Sequence, residues 1–156
     1  MPEERGIFYR CIRNNFVNHF HDNNLLHQRI SLQSISYTKE LGINLFACHQ
    51  LPFPVDELFE GSSFIIFTTH GWDVWLNDYQ FQWCHKKSNK KLKINAIAES
   101  ILAHEIGHFI SAQINPCLYT GKHSEAMADL CAVKFGLHRL HCSESDFWAV
   151  RGLWIH

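Results

Sequence analysis

The feature that most constrains the fold is a long helical pattern in the second half of the chain. From Ile94 onward, apolar residues recur at three- and four-residue steps, and the pattern ends before Asn115-Pro116. Its members are Ile94, Ile97, Ala98, Ile101, Leu102, Ile106, Phe109 and Ile110. This spacing predicts one continuous helix whose apolar stripe faces a core.

Within this helix, residues 104–108 read His-Glu-Ile-Gly-His, and the two histidines lie near one border of the stripe. Because residues four apart share a helix face, His104 and His108 can bind one ion while Glu105 stands beside it. A carboxylate next to a zinc-bound water can take a proton as that water attacks a carbonyl. The pattern predicts Zn²⁺ as cofactor, His104 and His108 as ligands and Glu105 as general base, although the chain's 12 histidines make a chance match conceivable.

Gly107 interrupts this helix with a residue that costs about 1 kcal/mol relative to alanine in a helix interior. A second element packed closely beneath the metal would explain it. The alternative is a glycine that is simply tolerated.

A third ligand is expected downstream, in a helix that we predict from a Ser124 cap to Lys134 or Phe135, with Gly136 as its stop. Glu125 lies in the first turn of this helix. It is the preferred third ligand, and His123, two residues earlier, is a rival.

Asp129 lies four residues after Glu125, on the same face of that helix. It is suited to accept a hydrogen bond from the second ring nitrogen of a ligating histidine. The alternative for both acidic residues is a solvated pair on an amphipathic helix.

Residues 99–136 resemble the gluzincin clan of zinc peptidases. The later motif, Glu125-x-x-Ala128-Asp129, is similar to that of CaaX prenyl endopeptidases, and residues 99–108 resemble the ImmA/IrrE peptidases. The resemblance implies a zincin-like domain in which His104, His108 and Glu125 bind zinc. It also implies that Glu105 is the base and that Asp129 orients a histidine. Metzincins are excluded, because the steps that carry their glycine and third histidine land on Ser111 and Ile114.

Peptide hydrolysis also requires a donor that stabilises the oxyanion, and Tyr119 is the candidate because it lies between the second histidine and Glu125. A tyrosine packed in a connecting loop is the alternative. His138, Arg139 and His141 are later candidates.

Composition predicts a soluble single domain, residues 1–156, with 46% hydrophobic residues and a net charge of −1. That charge gives no electrostatic reason to expect nucleic acid as a partner. No signal peptide or membrane-spanning run is recognisable, so the cytoplasm is the default compartment, with non-classical secretion as an alternative.

Six cysteines are spread widely and are expected to be thiols in that compartment. Four neighbouring residues suggest a second zinc site, but buried cysteines and surface histidines are the preferred interpretation, because no spacing matches a known zinc knuckle: Cys131, His138, His141 and Cys142.

Before the motif the chain reads as an α+β domain with a mixed or antiparallel sheet packed on the HExxH helix and the following ligand helix. A first helix is predicted through Phe8, Ile12, Phe16 and Phe20, ending near Asp22. Strands are predicted at residues 30–37, 43–48, 64–68 and 74–76. Residues 64–68 or 72–76 are candidates for an edge that pairs with extended substrate, with an ordinary internal strand as the alternative.

Three functional hypotheses follow. The first is a zinc metalloendopeptidase acting on a protein or peptide substrate, the second a zinc-binding regulatory or interaction module, and the third a toxin or effector protease.

Overall fold

The computed structural model describes residues 13–50 and 62–154. Three strands, β1 (Ile43–Cys48), β2 (Phe64–Thr68) and β3 (Gly71–Asn77), form a sheet in the order β1-β3-β2. β1 runs parallel to β3 and β2 runs antiparallel to it. The helices in the described part are residues 13–20 (α1), α2 (Asn23–Arg29), α3 (Leu32–Glu40), α4 (Asp78–Lys87), α5 (Ile94–Ile114), α6 (Cys117–Thr120), α7 (Ser124–Cys131) and α8 (Glu144–Trp154). The α+β class and the mixed sheet are therefore confirmed.

The sheet packs against apolar residues on both of its faces. Alternate residues of a strand point to opposite sides, so one strand can contribute to both faces. Ile65, Val74 and Leu76 join the main core with helix α5. Phe64, Ile66 and Trp75 face the other way and pack with Phe16 of α1. The sheet thus lies between α1 and α5, and its central strand β3 contributes to both cores.

Helix α5 lies at the centre of the domain and has the bounds that the periodicity predicts. Its residues from Ile97 to Phe109 are all buried, including the polar ones. The border of the apolar stripe, where the histidines lie, is therefore covered by other elements. Helices α7 and α8 both pack against α5.

The strand predicted at residues 30–37 is wrong, because this segment forms helix α3. The Ser31 side chain caps the helix by accepting a hydrogen bond from the Ser34 amide, and the buried carboxylate of Glu99 accepts from the Ser31 amide at 2.8 Å and from the Ser34 hydroxyl. Ile35 and Thr38 then lie one turn apart and are buried, which is helical spacing rather than alternation.

The other predicted elements are largely confirmed. The strands at 43–48 and 64–68 have the predicted bounds, and residues 74–76 belong to the longer β3. Residues 13–20 are helical, while Phe8 and Ile12 lie outside the described residues. In the described ranges, no helix combines the length and the apolar character required to cross a bilayer.

The ligand helix α7 begins one residue earlier than predicted, at Ser124. His123 occupies the cap position and makes no side-chain capping bond, so the prediction of a Ser124 cap is wrong. The Ser124 amide instead donates to the Gly121 carbonyl in the preceding turn. After Cys131 the chain widens into a π-helical turn, Ala132–Gly136, followed by a 3-10 turn, Leu137–Arg139.

Candidate metal centre

Three predicted ligand side chains meet between helices α5 and α7. The Nε2 atoms of His104 and His108 lie 2.7 Å and 3.0 Å from the same carboxylate oxygen, Oε2 of Glu125. One potential ligand atom from each residue lies within 4.8 Å of the other two. Two imidazoles and a carboxylate are the set that holds catalytic zinc in many peptidases, with a fourth position left to water.

The close approach of α7 to α5 brings Glu125 to the histidines. Gly107 lies on α5 between the two histidine positions, and the Ala128 backbone passes directly over it. Since α7 then continues beside α5, Glu125 in its first turn and Asp129 one turn later both reach the histidine face. The interpretation of Gly107 as a packing glycine is confirmed.

His104 is held at both ring nitrogens. Its Nδ1 donates to Oδ1 of Asp129 at 2.8 Å, which directs Nε2 toward Glu125. Burial opposes a charge on this ring, but the hydrogen bonds to Asp129 and Glu125 outweigh it and raise the pKa of His104 to about 9. Hydrogen bonds from His104 and His108 in turn hold the pKa of Glu125 well below its usual range. The two carboxylates therefore favour the protonated form of the His104 ring.

Glu105, the predicted base, is 6% exposed. Burial raises the pKa of its carboxyl, while the electrostatic influence of the neighbouring histidines lowers it. Its carboxylate makes no hydrogen bond or ion pair with any residue in the described segments. A buried, unengaged carboxylate beside two imidazoles is available to exchange a proton with a water molecule.

The donor arrangement fits a divalent metal ion. Asp129 occupies Nδ1 of His104, so Nε2 is the nitrogen left for a metal. In His108, too, Nε2 is the nitrogen that faces Glu125. Nδ1 of this ring is buried and has no hydrogen-bond partner among the residues described. Glu125 has a side chain that is 67% exposed, which leaves an opening to solvent on the third side.

Tyr119 lies close to this group, but its hydroxyl is engaged elsewhere. The hydroxyl donates to the Ile65 carbonyl of β2 at 2.8 Å, and the ring packs edge-on against Trp72 and His108. Burial raises the pKa of Tyr119, so the group remains a proton donor at all ordinary pH values. Its role as an oxyanion donor stays a prediction that requires the hydroxyl to leave Ile65.

Other sequence candidates do not join the centre. His123 is exposed and lies outside the ligand group. Within residues 13–50 and 62–154, the four residues considered for a second zinc site do not form a ligand group either. The cysteines of the described part are free thiols: Cys48, Cys84, Cys117, Cys131 and Cys142.

The sequence reasoning missed Arg151 of helix α8. Its Nε donates to Oδ1 of Asp129 at 2.6 Å, and its side chain is 4% exposed. The signal was present, because Arg151 follows Phe147 at a four-residue step and adjoins Val150 on the apolar face. An arginine on the buried face of a helix calls for a buried acidic partner.

No family model, curated protein or solved structure matches this chain.

Proposed function

We propose that this protein is a zinc-dependent metalloendopeptidase of the gluzincin type, with a zincin-like domain built around α5 and α7. The observation that carries the proposal is the meeting of His104, His108 and Glu125 beside the buried carboxylate of Glu105. The resemblance of residues 99–136 to gluzincins agrees with the same assignment. In this proposal the cofactor is Zn²⁺ and the substrate is a protein or peptide.

His104, His108 and Glu125 would hold the zinc, which would supply Lewis acidity to activate a water molecule and polarise a peptide carbonyl. Glu105 accepts the proton of the attacking water and delivers it to the leaving amine. Asp129 keeps the ring of His104 oriented with Nε2 toward the metal. Tyr119 is the candidate for donating to the oxyanion.

Strand β2 is the proposed docking edge for an extended peptide. β3 is the central strand, so residues 72–76 are excluded as an edge, whereas β2 has no further neighbouring strand among the described residues. The Ser63 amide donates to the Gln80 side chain and the Ile65 carbonyl accepts from Tyr119, so backbone groups at alternate positions of β2 face away from β3. A substrate strand would pair with this row after Gln80 and Tyr119 had released these two groups.

The engagement of Tyr119 with Ile65 favours a second candidate function, a zinc-binding regulatory or interaction module without useful peptidase activity. In that case Tyr119 is a packing residue that covers part of the β2 edge. The two candidates share the metal site and differ in turnover.

The first experiment measures zinc per chain by plasma mass spectrometry after dialysis against a weak chelator. We expect about one zinc in the wild type, a large loss in Glu125→Ala, and no loss in the neighbouring control His123→Ala. Retention of zinc in Glu125→Ala together with its loss in His123→Ala would reverse the ligand assignment.

The second experiment measures cleavage of a proteome-derived peptide mixture. Glu105→Gln should keep its zinc and lose roughly 10²- to 10⁴-fold in turnover. Undiminished cleavage by Glu105→Gln contradicts the peptidase proposal. Zinc binding without cleavage by the wild type favours the module.

A further inference from the structure

Arg151 is a buried cation at the far side of the candidate centre. It lies on the C-terminal helix α8, and its guanidinium reaches across to helix α7 at Asp129. Phe147 and Val150 of the same helix are fully buried, so apolar packing alone already attaches α8 to the core. The charged group needs a different explanation, because burying an arginine is costly unless its partner is well placed.

Arg151 and His104 donate to the same oxygen atom. The distances to Oδ1 of Asp129 are 2.6 Å from Nε of Arg151 and 2.8 Å from Nδ1 of His104. The Asp129 carboxylate is therefore held between His104 of α5 and Arg151 of α8, and its side chain is only 8% exposed. Asp129 orients the ring of His104, and Arg151 restricts the position of Asp129.

The two donors to Asp129 have different places in the centre. His104 belongs to the candidate ligand group, whereas Arg151 does not, so Arg151 keeps the buried carboxylate paired whatever binds at Nε2 of His104.

We infer that Arg151 is a positioning residue of the metal centre, which fixes Asp129 and through it His104 and so couples the docking of the C-terminal helix to metal affinity. This inference rests on the metal site of the proposed function and not on peptidase activity. Partners behind a metal ligand typically change affinity by about 10- to 100-fold when removed. By reciprocity, bound metal holds α8 more firmly on α5.

The test measures Zn²⁺ affinity by competition with a chromophoric chelator. We expect Arg151→Met to weaken zinc binding about 10- to 100-fold and Arg151→Lys, which keeps the charge but loses the planar fork, to recover part of the loss. Val150→Ala is the matched control, since it removes packing from the same helix without touching Asp129. It should leave zinc affinity within about 3-fold of the wild type, as expected for a residue with no polar link to the centre.

A double-mutant cycle with Asp129→Asn separates positioning from general loosening. The effect of Arg151→Met should largely vanish in the Asp129→Asn background, because the link is already broken. If Arg151→Met does not fold, the cycle is run with Arg151→Lys. Wild-type affinity in a folded Arg151→Met, or an equal loss in Val150→Ala, overturns the inference. Where Arg151→Met does not fold, wild-type affinity in Arg151→Lys overturns it.

The outcomes distinguish this inference from the proposed function. A wild type that binds no zinc overturns both. Zinc binding that depends on Arg151 without any cleavage of peptides supports the inference and contradicts only the peptidase proposal.

Discussion

The backbone carbonyl of Ala128 lies where residue 107 would carry a Cβ atom. A Cβ built on Gly107 would be 2.0 Å from the Ala128 oxygen and 2.8 Å from its carbonyl carbon. These are backbone atoms of α7, so no rotamer change relieves the contact. The absence of a side chain at position 107 is what lets Glu125 and Asp129 reach the histidines.

Gly107→Ala should therefore destabilise the fold, although alanine is the better helix former. We expect an overpacking cost of about 3 kcal/mol, offset by about 1 kcal/mol of helix propensity, for a net loss of roughly 2 kcal/mol. Urea denaturation measures it. Because α7 must move, zinc affinity should fall as well.

Gly152→Ala is the control for Gly107→Ala. This exposed glycine of α8 has nothing within 4 Å of a built Cβ, so the substitution should stabilise the protein by about 0.5–1 kcal/mol. A Gly107→Ala variant as stable as Gly152→Ala would show that α7 does not constrain α5 at this point.

Much of the centre could be predicted from the sequence because helical spacing is local information. The four-residue step of His104 and His108, and that of Glu125 and Asp129, each specify one helix face. The glycine between the histidines even indicated that a second element packs closely there. What the local pattern does not specify is how the two faces are brought together.

The missed features depend on contacts between segments distant in sequence. Residues 30–37 are rich in residues that favour strands, yet Glu99, some 65 positions away, accepts hydrogen bonds at the start of α3. Arg151 likewise acquires its partner from α7, 22 positions earlier. Local propensity carries no information on either contact.

The stability of the metal-free protein should depend on the protonation of His104. Its pKa is raised to about 9 in the folded state from an ordinary value of 6.5. A raised pKa contributes stability that is fully present below pH 6.5 and is lost as the pH rises through 9. The contribution is on the order of 3 kcal/mol, from the size of that shift.

Urea unfolding at pH 6, 7.5 and 9 in the presence of a chelator measures this loss. His104→Gln should flatten the profile, whereas the exposed control His123→Gln should not. Zinc should reverse the trend, because its binding to Nε2 requires that proton to leave. Metal-free stability that is constant or rises over this range would contradict the charged state of His104.

Tyr119 offers the sharpest distinction between a catalytic and a packing residue. If its hydroxyl leaves the Ile65 carbonyl to stabilise an oxyanion, Tyr119→Phe should lower kcat by about 10²-fold with little change in KM and no loss of zinc. The phenyl ring preserves the packing on Trp72 and His108, so the folded state should be kept. We expect this result in steady-state cleavage of a fluorogenic peptide chosen from the sequences the wild type cuts. A kcat within about 3-fold of the wild type would instead assign the hydroxyl to the β2 edge and leave the metal and Glu105 to stabilise the transition state.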